Sequence, residues 1–388
     1  MPVPSSGEIQ MTDIYNEFTG THTGDEEIQM SDYRGDGDVP SGATDEIQLA
    51  ADMYGASSGL AWAGTRAVVM GGWTYNTSGS GRSLNDVQYK TVVTDGNTAD
   101  FDDLAILNHA AVGSGSNSTK VVKAGGGTFT SVGGWTRRLN TIESLTVSTT
   151  GSVIDNGDLN TGSDYGTGSG ASNGTLCFFV GGDGNGANIE QMTISSGSGS
   201  SQAGDIATGS SIEHCQSNGD SKFLILGIGT AQNNKTAIDE HNFSTSANSS
   251  AYGNVATIGL GGSGVVCAVN RVVTAAGWTN ASYTRGSRMQ FFPVASSADG
   301  ESSDSADLVT TGTHPGGTSD GTRGEFYGLN NDQSAYNYIS NTIQKITIAS
   351  LSNATDIGDL QDNAISGDNG HTYSMAGGVS NSACQTGT

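Results

Sequence analysis

Apolar residues recur along this chain with a long period. Six ten-residue segments begin at Asn85, Asn140, Ala187, Thr236, Ser287 and Asn341. Each places an apolar residue at its third position: Val87, Ile142, Ile189, Ile238, Met289 and Ile343. Successive steps between these residues are 55, 47, 49, 51 and 54. Apolar residues usually return three and five positions further on, as Leu145 and Val147 do after Ile142. Self-similarity at such a period marks a repeat architecture.

Around each copy the unit divides into four segments. An apolar run precedes it: TRAVVMGGW from Thr65, TKVVKAGGG from Thr119, TLCFFVGG from Thr175, KFLILGIG from Lys222, RVVTAAGW from Arg271 and RGEFYGLN from Arg323. These runs are continuous rather than alternating, which predicts central strands covered on both faces. An acidic segment follows each copy, ending at Leu104, Leu159, Ile206, Val255, Leu308 and Leu360. Last comes a Gly- and Ser-rich piece such as HAAVGSGSN from His109 or YGTGSGASN from Tyr165. Its small residues suit a crowded innermost strand.

Four short strands per unit describe one blade of a β-propeller, and six units predict an all-β, six-bladed ring over residues 57–388. Tandem helical repeats are excluded, because no run keeps a 3.6-residue spacing. A ring must join its ends. The tail, residues 371–388, begins HTYSMAGGVSNSA and is similar to the stretch from His109, with no seventh apolar strand after it. It is expected to supply the inner strand of the first blade. YGASSGLAWAG from Tyr54 competes for that slot. The Gly pair after the apolar strand (Gly71–Gly72, Gly125–Gly126, Gly181–Gly182) resembles the kelch repeat. The later units depart from it, with Gly227 and Gly229 separated by Ile228 and with Gly277 and Gly328 single. The kelch aromatic pair later in the blade is missing, so the resemblance implies a divergent kelch-like propeller.

Residues 1–56 carry a different repeat. Glu8, Glu27 and Glu46 open EIQMTDIY, EIQMSDY and EIQLAADMY at steps of 19 residues. Each copy gives an apolar pair and then an aromatic: Ile9, Met11 and Tyr15; Ile28, Met30 and Tyr33; Ile47, Leu49 and Tyr54. Thr12 and Ser31 are N-cap residues followed by Asp13 and Asp32, so each unit reads as an extended piece entering about one helical turn. So short a segment buries little core alone. Its nine apolar and aromatic residues are candidate hooks for docking on another protein. Packing along the following domain is the plainer alternative. The Arg34–Asp36 RGD reads as a turn.

The blocks MPVPSSGEIQMTDIYNEF, EIQMSDYRGDGDVP and EIQLAADMYGAS, in that order, resemble the opening of many tailed-phage virion proteins, of the type SSGxIxLSDI, LSDYYRGG, LSDFYGAS. The resemblance covers residues 1 to about 57 and departs at AAD in the third block. It implies a virion structural role, made in the host cytoplasm and displayed on the particle exterior.

Composition narrows the partners. Charged residues are 14% and the net charge is −24, which excludes phosphate-backbone binding and hence a nucleic-acid partner. The first residues lack a basic region and an apolar core, so no Sec-type leader is expected. The apolar runs are too short for membrane insertion. The four cysteines (Cys177, Cys215, Cys267, Cys384) lie far apart and read as buried or free thiols.

No constellation points to catalysis, a cofactor or a metal. Asp103, Asp158, Asp205, Asp307 and Asp359 recur once per blade and read as structural acids bonding turn amides. The acidic stretch from Asp95 lacks calcium-loop order and reads as a turn. The six histidines form no metal pattern, and GxSxG matches fall in low-complexity runs. Trp73, Tyr75, Trp135, Trp278 and Tyr283 follow the apolar strands in loops on one face. Flat rings among Asn, Ser and Thr are the chemistry of a sugar-binding face, and equally of aromatic caps over blade interfaces. The sequence therefore predicts a non-enzymatic virion protein. It would be a tail fibre or appendage, homo-oligomeric on the particle, contacting other virion proteins through residues 1–56 and host polysaccharide or a subunit through the ring. Capsid decoration or a head fibre is the alternative, and a glycan-cleaving enzyme is less favoured.

Overall fold

The computed structural model describes residues 66–75, 81–108, 113–131, 134–149, 151, 153–160, 168–181, 187–209, 212, 214–217, 221–229, 236–254, 260–268, 271–278, 284–293, 306–330, 339–350, 352–361 and 377–380. The docking segment expected over residues 1–56, with its nine candidate residues, lies outside these, as do Tyr283, Cys384, His109 and His371.

Blade 1 holds β1 (Arg66–Tyr75), β2 (Gly81–Thr91) and β3 (Ala99–Asn108). Blade 2 starts with β4 (Gly113–Ser116) and β5 (Lys120–Ala124), makes an extra hairpin from β6 (Gly127–Ser131) and β7 (Gly134–Arg138), and ends with β8 (Thr141–Thr146) and β9 (Ile154–Asp158). Blade 3 is β10 (Gly168–Ser172), β11 (Leu176–Gly181), β12 (Asn188–Thr193) and β13 (Ser201–Asp205). Blade 4 is β14 (His214–Ser217), β15 (Lys222–Ile228), β16 (Ala237–Asn242) and β17 (Ser250–Asn254). Blade 5 is β18 (Ser263–Ala268), β19 (Arg271–Ala276), β20 (Gly286–Pro293) and β21 (Ala306–Gly312). Blade 6 is β22 (Gly316–Ser319), β23 (Arg323–Asn330), β24 (Ile339–Thr347) and β25 (Thr355–Asp359). The last strand, β26 (Gly377–Ser380), returns to pair antiparallel with β1, Val68 facing Val379 and Met70 facing Gly377.

The result is six four-stranded antiparallel sheets, with β26, β4, β10, β14, β18 and β22 adjacent to one another in a closed inner ring. This is a six-bladed β-propeller. The inner strands explain their own composition. A Cβ on Gly317 would stand 2.1 Å from the Val265 carbonyl oxygen, and one on Gly170 would stand 2.5 Å from the Ser114 backbone. Converging sheets leave room there for hydrogen alone.

The second strands explain theirs. Val68 and Met70 pack into the core between blades 1 and 2, whereas Ala67 and Val69 on the opposite face pack into the core between blades 6 and 1. The same division holds at every seam, so the six apolar clusters lie between sheets and none lies within one. Phe178, Phe223 and Phe243 fill the seam between blades 3 and 4, each buried aromatic contributing about 1.5–3 kcal/mol.

Near the end of each second strand one residue has positive φ: Gly71 (62°), Gly125 (72°), Gly181 (82°), Gly227 (68°), Ala276 (64°) and Gly328 (63°). In blades 1, 4 and 6 the register with the third strand shifts by one at this residue. Blade 5 keeps the conformation with an alanine, although its sequence loses the glycine doublet.

Two polar rings join the blades, and neither was foreseen. On each third strand the residue after the apolar marker is polar and buried: Gln88, Glu143, Glu190, Asp239, Gln290 and Gln344. It reaches back to the preceding blade and accepts the N–H of the residue after the apolar end of the outer strand. Ala105 donates to Glu143 Oε1 (2.8 Å), Asn160 to Glu190 Oε2 (2.8 Å), Ala207 to Asp239 Oδ2 (3.1 Å), Val309 to Gln344 Oε1 (2.6 Å) and Gln361 to Gln88 Oε1 (2.8 Å). The residue equivalent for Gln290, Ala256, lies outside the described residues. Nearer the axis, Ser116, Ser172, Ser217, Cys267 and Ser319 occupy one level of the inner strands and are all buried. The Ser172 hydroxyl donates to the Ser116 carbonyl and accepts from its N–H, both at 2.9 Å, and Ser319 treats Cys267 alike.

The recurrent outer-strand acids work differently from expectation. Their main chain, rather than their carboxylates, meets the neighbouring turn. Asp205 N–H donates to Asn248 Oδ1 and Asp205 carbonyl accepts from Ser249; Asp359 does the same with Asn97 and Thr98, and Asp307 with Asn353 and Ala354. At Asp205 and Asp359 a glycine beside the acid makes room for this. Gly204 and Gly358 let the next blade's turn approach so closely that a Cβ would meet Ala247 O at 2.1 Å and Gly96 C at 2.6 Å. Asp103, Asp158, Asp307 and Asp359 leave their side chains exposed.

Candidate functional site

The two ends of the ring differ in construction. At one end the inner strands turn into the second strands through tight Asx turns. Asn117, Asn173 and Asp320 each accept two backbone N–H groups through the side chain. The third-to-fourth strand turns at this end dock on the neighbouring blade. Between blades 6 and 1 they carry an ion network. Lys90 Nζ lies 2.7 Å from Glu325, both buried, while Asp95 takes Lys345 (2.8 Å) and Arg323 (2.9 Å). Burial pushes the Lys90 ammonium pKa down against the pull of Glu325, and the hydrogen bond from Lys345 holds the Asp95 carboxyl low. The Tyr327 hydroxyl also donates to Glu325, and burial raises its pKa well above the usual range. The acidic stretch from Asp95 is therefore a clamp between blades.

The other end carries the longer excursions between second and third strands, and it holds the aromatic candidates. Trp73 and Tyr75 are on the last part of β1, opposite Ser83 and Gly81. Trp135 is on β7, opposite Phe129, in a hairpin whose β6 lies beside β2 and β3. Trp278 lies two residues beyond the end of β19 and forms a bridge with Arg285. The fold thus brings these four to one end of the ring, at the seam of blades 1 and 2 and in blade 5.

Trp278 is half-buried. The Arg285 guanidinium carbon stands 5.6 Å from its ring centroid, and the His314 ring meets it edge-on at 6.0 Å. Arg285 Nη2 donates to Asn330 Oδ1 at 3.0 Å, which ties blade 5 to blade 6. His314 sits at φ 57° and donates its N–H to the Gly262 carbonyl. A Cβ at Gly262 would meet the His314 ring and Trp278 Nε1 at 3.1 Å. Trp278 both covers the seam between blades 5 and 6 and leaves part of its ring in solvent. A cation over a half-exposed indole contributes about 0.5–1 kcal/mol.

The remaining chemistry-bearing groups are taken up by structure. His241 is stacked on Phe223 (5.1 Å) and beside Phe178 (5.3 Å), with Nε2 at 2.9 Å from the Ala247 carbonyl; burial lowers its pKa. His214 Nε2 contacts the Ser263 carbonyl. Cys177, Cys215 and Cys267 are buried thiols, and burial pushes the pKa of Cys177 and Cys215 far up. Lys123 and Glu143 face each other across β5 and β8 as a buried pair at 2.7 Å. Among the described residues, no three His, Cys, Asp or Glu side chains gather to hold a metal, and no helix is long and apolar enough to cross a membrane.

The polar rings could have been found in the sequence. The residue after each apolar marker is Gln, Glu or Asp in all six copies, and a Ser before Asn or Asp ends most inner strands.

No protein-family model and no curated protein matches the chain. Among solved structures, that of YjhT matches with a TM-score of 0.53 at 10% identity, covering 73% of this chain and 96% of that one. A likeness at this identity is one of fold, and it places the chain among β-propellers.

Proposed function

We propose that this protein is a non-enzymatic structural protein of a tailed-phage particle, attached through residues 1–56 and presenting the excursion-bearing end of its propeller to host glycan or to another subunit. The observation that carries the reading is the order of three spaced blocks opening at Glu8, Glu27 and Glu46, which resembles a virion module. The propeller supports the non-enzymatic part. General acid–base catalysis needs carboxylates poised beside a substrate. The buried carboxylates of Glu143, Glu190, Asp239 and Glu325 are instead held by amides, hydroxyls or cations of the blades they join.

The test compares particles assembled with the full chain and with a chain lacking residues 1–56. The full chain is expected on the particle exterior, and the shortened one is expected to fold yet stay unincorporated. Normal incorporation of the shortened chain overturns the anchor. Release of reducing sugar from host polysaccharide, abolished by changing one acidic residue, would overturn the non-enzymatic reading. Immunogold labelling of the head rather than the tail would select the decoration or head-fibre alternative.

A further inference from the structure

The excursions that carry tryptophan also carry arginine and exclude acids. The chain holds 39 acidic and 15 basic residues, yet residues 53–85, 104–142 and 241–298 contain no Asp or Glu. These three stretches include Trp73 with Arg82, Trp135 with Arg137 and Arg138, and Trp278 with Arg285. The corresponding excursions of blades 3 and 6 lack tryptophan and carry Asp183 and Asp332, while that of blade 4 has neither tryptophan nor acid.

The fold turns this pattern into a place. Arg82 on β2 is the register partner of Thr74, next to Trp73 on β1. Arg137 and Arg138 share β7 with Trp135 and pair with Thr128 and Gly127. Strand β2 begins and β3 ends at the same end of the ring from which β6 leaves blade 2, and β6 lies against both. Strands carrying three arginines and two tryptophans thus adjoin at the seam of blades 1 and 2. In blade 5, Trp278 and Arg285 are direct bridge partners.

From this juxtaposition we infer that the excursion-bearing end of the ring, centred on the blade 1 and blade 2 hairpins, binds an anionic polysaccharide. The inference rests on the glycan-contact reading above and adds the charge class of the glycan. A guanidinium pairs bidentately with a carboxylate or sulfate, and an indole covers a pyranose face. The absence of acids from these stretches matters because the remainder of a chain of net charge −24 repels a polyanion.

The full chain is passed over immobilised polygalacturonate, dextran sulfate and neutral dextran. Retention on either charged polymer, weakened between about 50 and 200 mM salt, is expected, with none on neutral dextran. The triple change Arg82→Gln, Arg137→Gln, Arg138→Gln should reduce affinity about tenfold or more at an unchanged melting temperature. Arg285→Gln is a second variant, at the blade 5 pair, expected to weaken retention less. Equal retention on neutral dextran overturns the charge class and leaves glycan contact standing. Retention on none of the polymers overturns both. Charged-polymer binding untouched by the triple change overturns the assigned seam.

Discussion

The N–H of Gln361 donates to Gln88 Oε1 at 2.8 Å, and Gln88 Nε2 returns a bond to the Gln361 carbonyl at 3.0 Å, across 273 residues of chain. The same latch joins Glu143, Glu190, Asp239 and Gln344 to the blades before them. Gln88 is 1% exposed, and its removal takes the donor from the Gln361 carbonyl and leaves the Gln361 N–H with Thr98 Oγ1 at the closing seam. Gln88→Ala is expected to cost about 1–3 kcal/mol in urea unfolding. A loss below about 0.5 kcal/mol, as at an ordinary surface site, would show the latch to be idle.

Blade 2 uses a carboxylate where blades 1 and 6 use an amide, and Lys123 is its counter-ion. Glu143→Gln keeps the acceptor for Ala105 but strands a Lys123 ammonium that is 1% exposed, at an expected cost of about 3–5 kcal/mol. Adding Lys123→Met removes the charge and restores an arrangement of the Gln88 and Gln344 kind. The double variant should recover most of the loss, and equal destabilisation of single and double variants would contradict this.

The ring was legible in the sequence because its apolar positions carry it. Val87 and its five counterparts repeat, the runs before them fill both faces of a sheet, and the Gly and Ser pieces mark the narrow inner strands. The latch residues recur visibly in all six copies, but their burial was not legible, because a polar residue beside Val87 or Ile142 matches the solvent side of an alternating strand. In a propeller that side faces the preceding blade. Outer acids such as Asp205 and Asp359 misled for a related reason: the glycine beside each lets a turn bond the main chain, which side-chain identity does not encode. Of the aromatic candidates, the fold places Trp73, Tyr75, Trp135 and Trp278 at one end; the pairing of Trp278 with Arg285 needed the hairpin register.

Ala276 takes a left-handed conformation that glycine takes in the five other blades (φ 64°). The conformation costs a non-glycine residue about 1–2 kcal/mol, against about 0.4–1 kcal/mol of unfolded-state entropy gained by adding glycine. Ala276→Gly should therefore stabilise by about 0.5 kcal/mol. A clear destabilisation in the urea midpoint would mean that the Ala276 side chain packs more than it strains.

His241 is 2% exposed between two phenylalanines, and burial holds its pKa below 6.5. The unfolded chain binds a proton at this site below pH 6.5 that the folded chain refuses. The stability at stake is thus fully present above 6.5 and lost as pH falls from there toward the depressed folded value. His241→Gln, which retains a donor for the Ala247 carbonyl, should flatten the fall of stability between about pH 6.5 and 5. Parallel pH profiles for the two proteins would remove His241 as the cause.

Closure by β26 sets the last expectation. Four residues, Gly377–Ser380, cover the free edge of β1 and stand between β22 and β4 in the inner ring. Without them β1 presents unpaired N–H and C=O groups, and blades 6 and 1 lose the strand that spans their inner border. The cores of the other seams keep their contacts, so the damage should be local in origin and cooperative in effect. Deleting residues 371–388 is expected to lower the melting temperature sharply and to promote association through the β1 edge, read by light scattering. Supplying the peptide of residues 371–388 in trans should restore part of the loss, because the edge it fills is already formed. An unchanged melting temperature after the deletion would show that the ring holds without its closing strand.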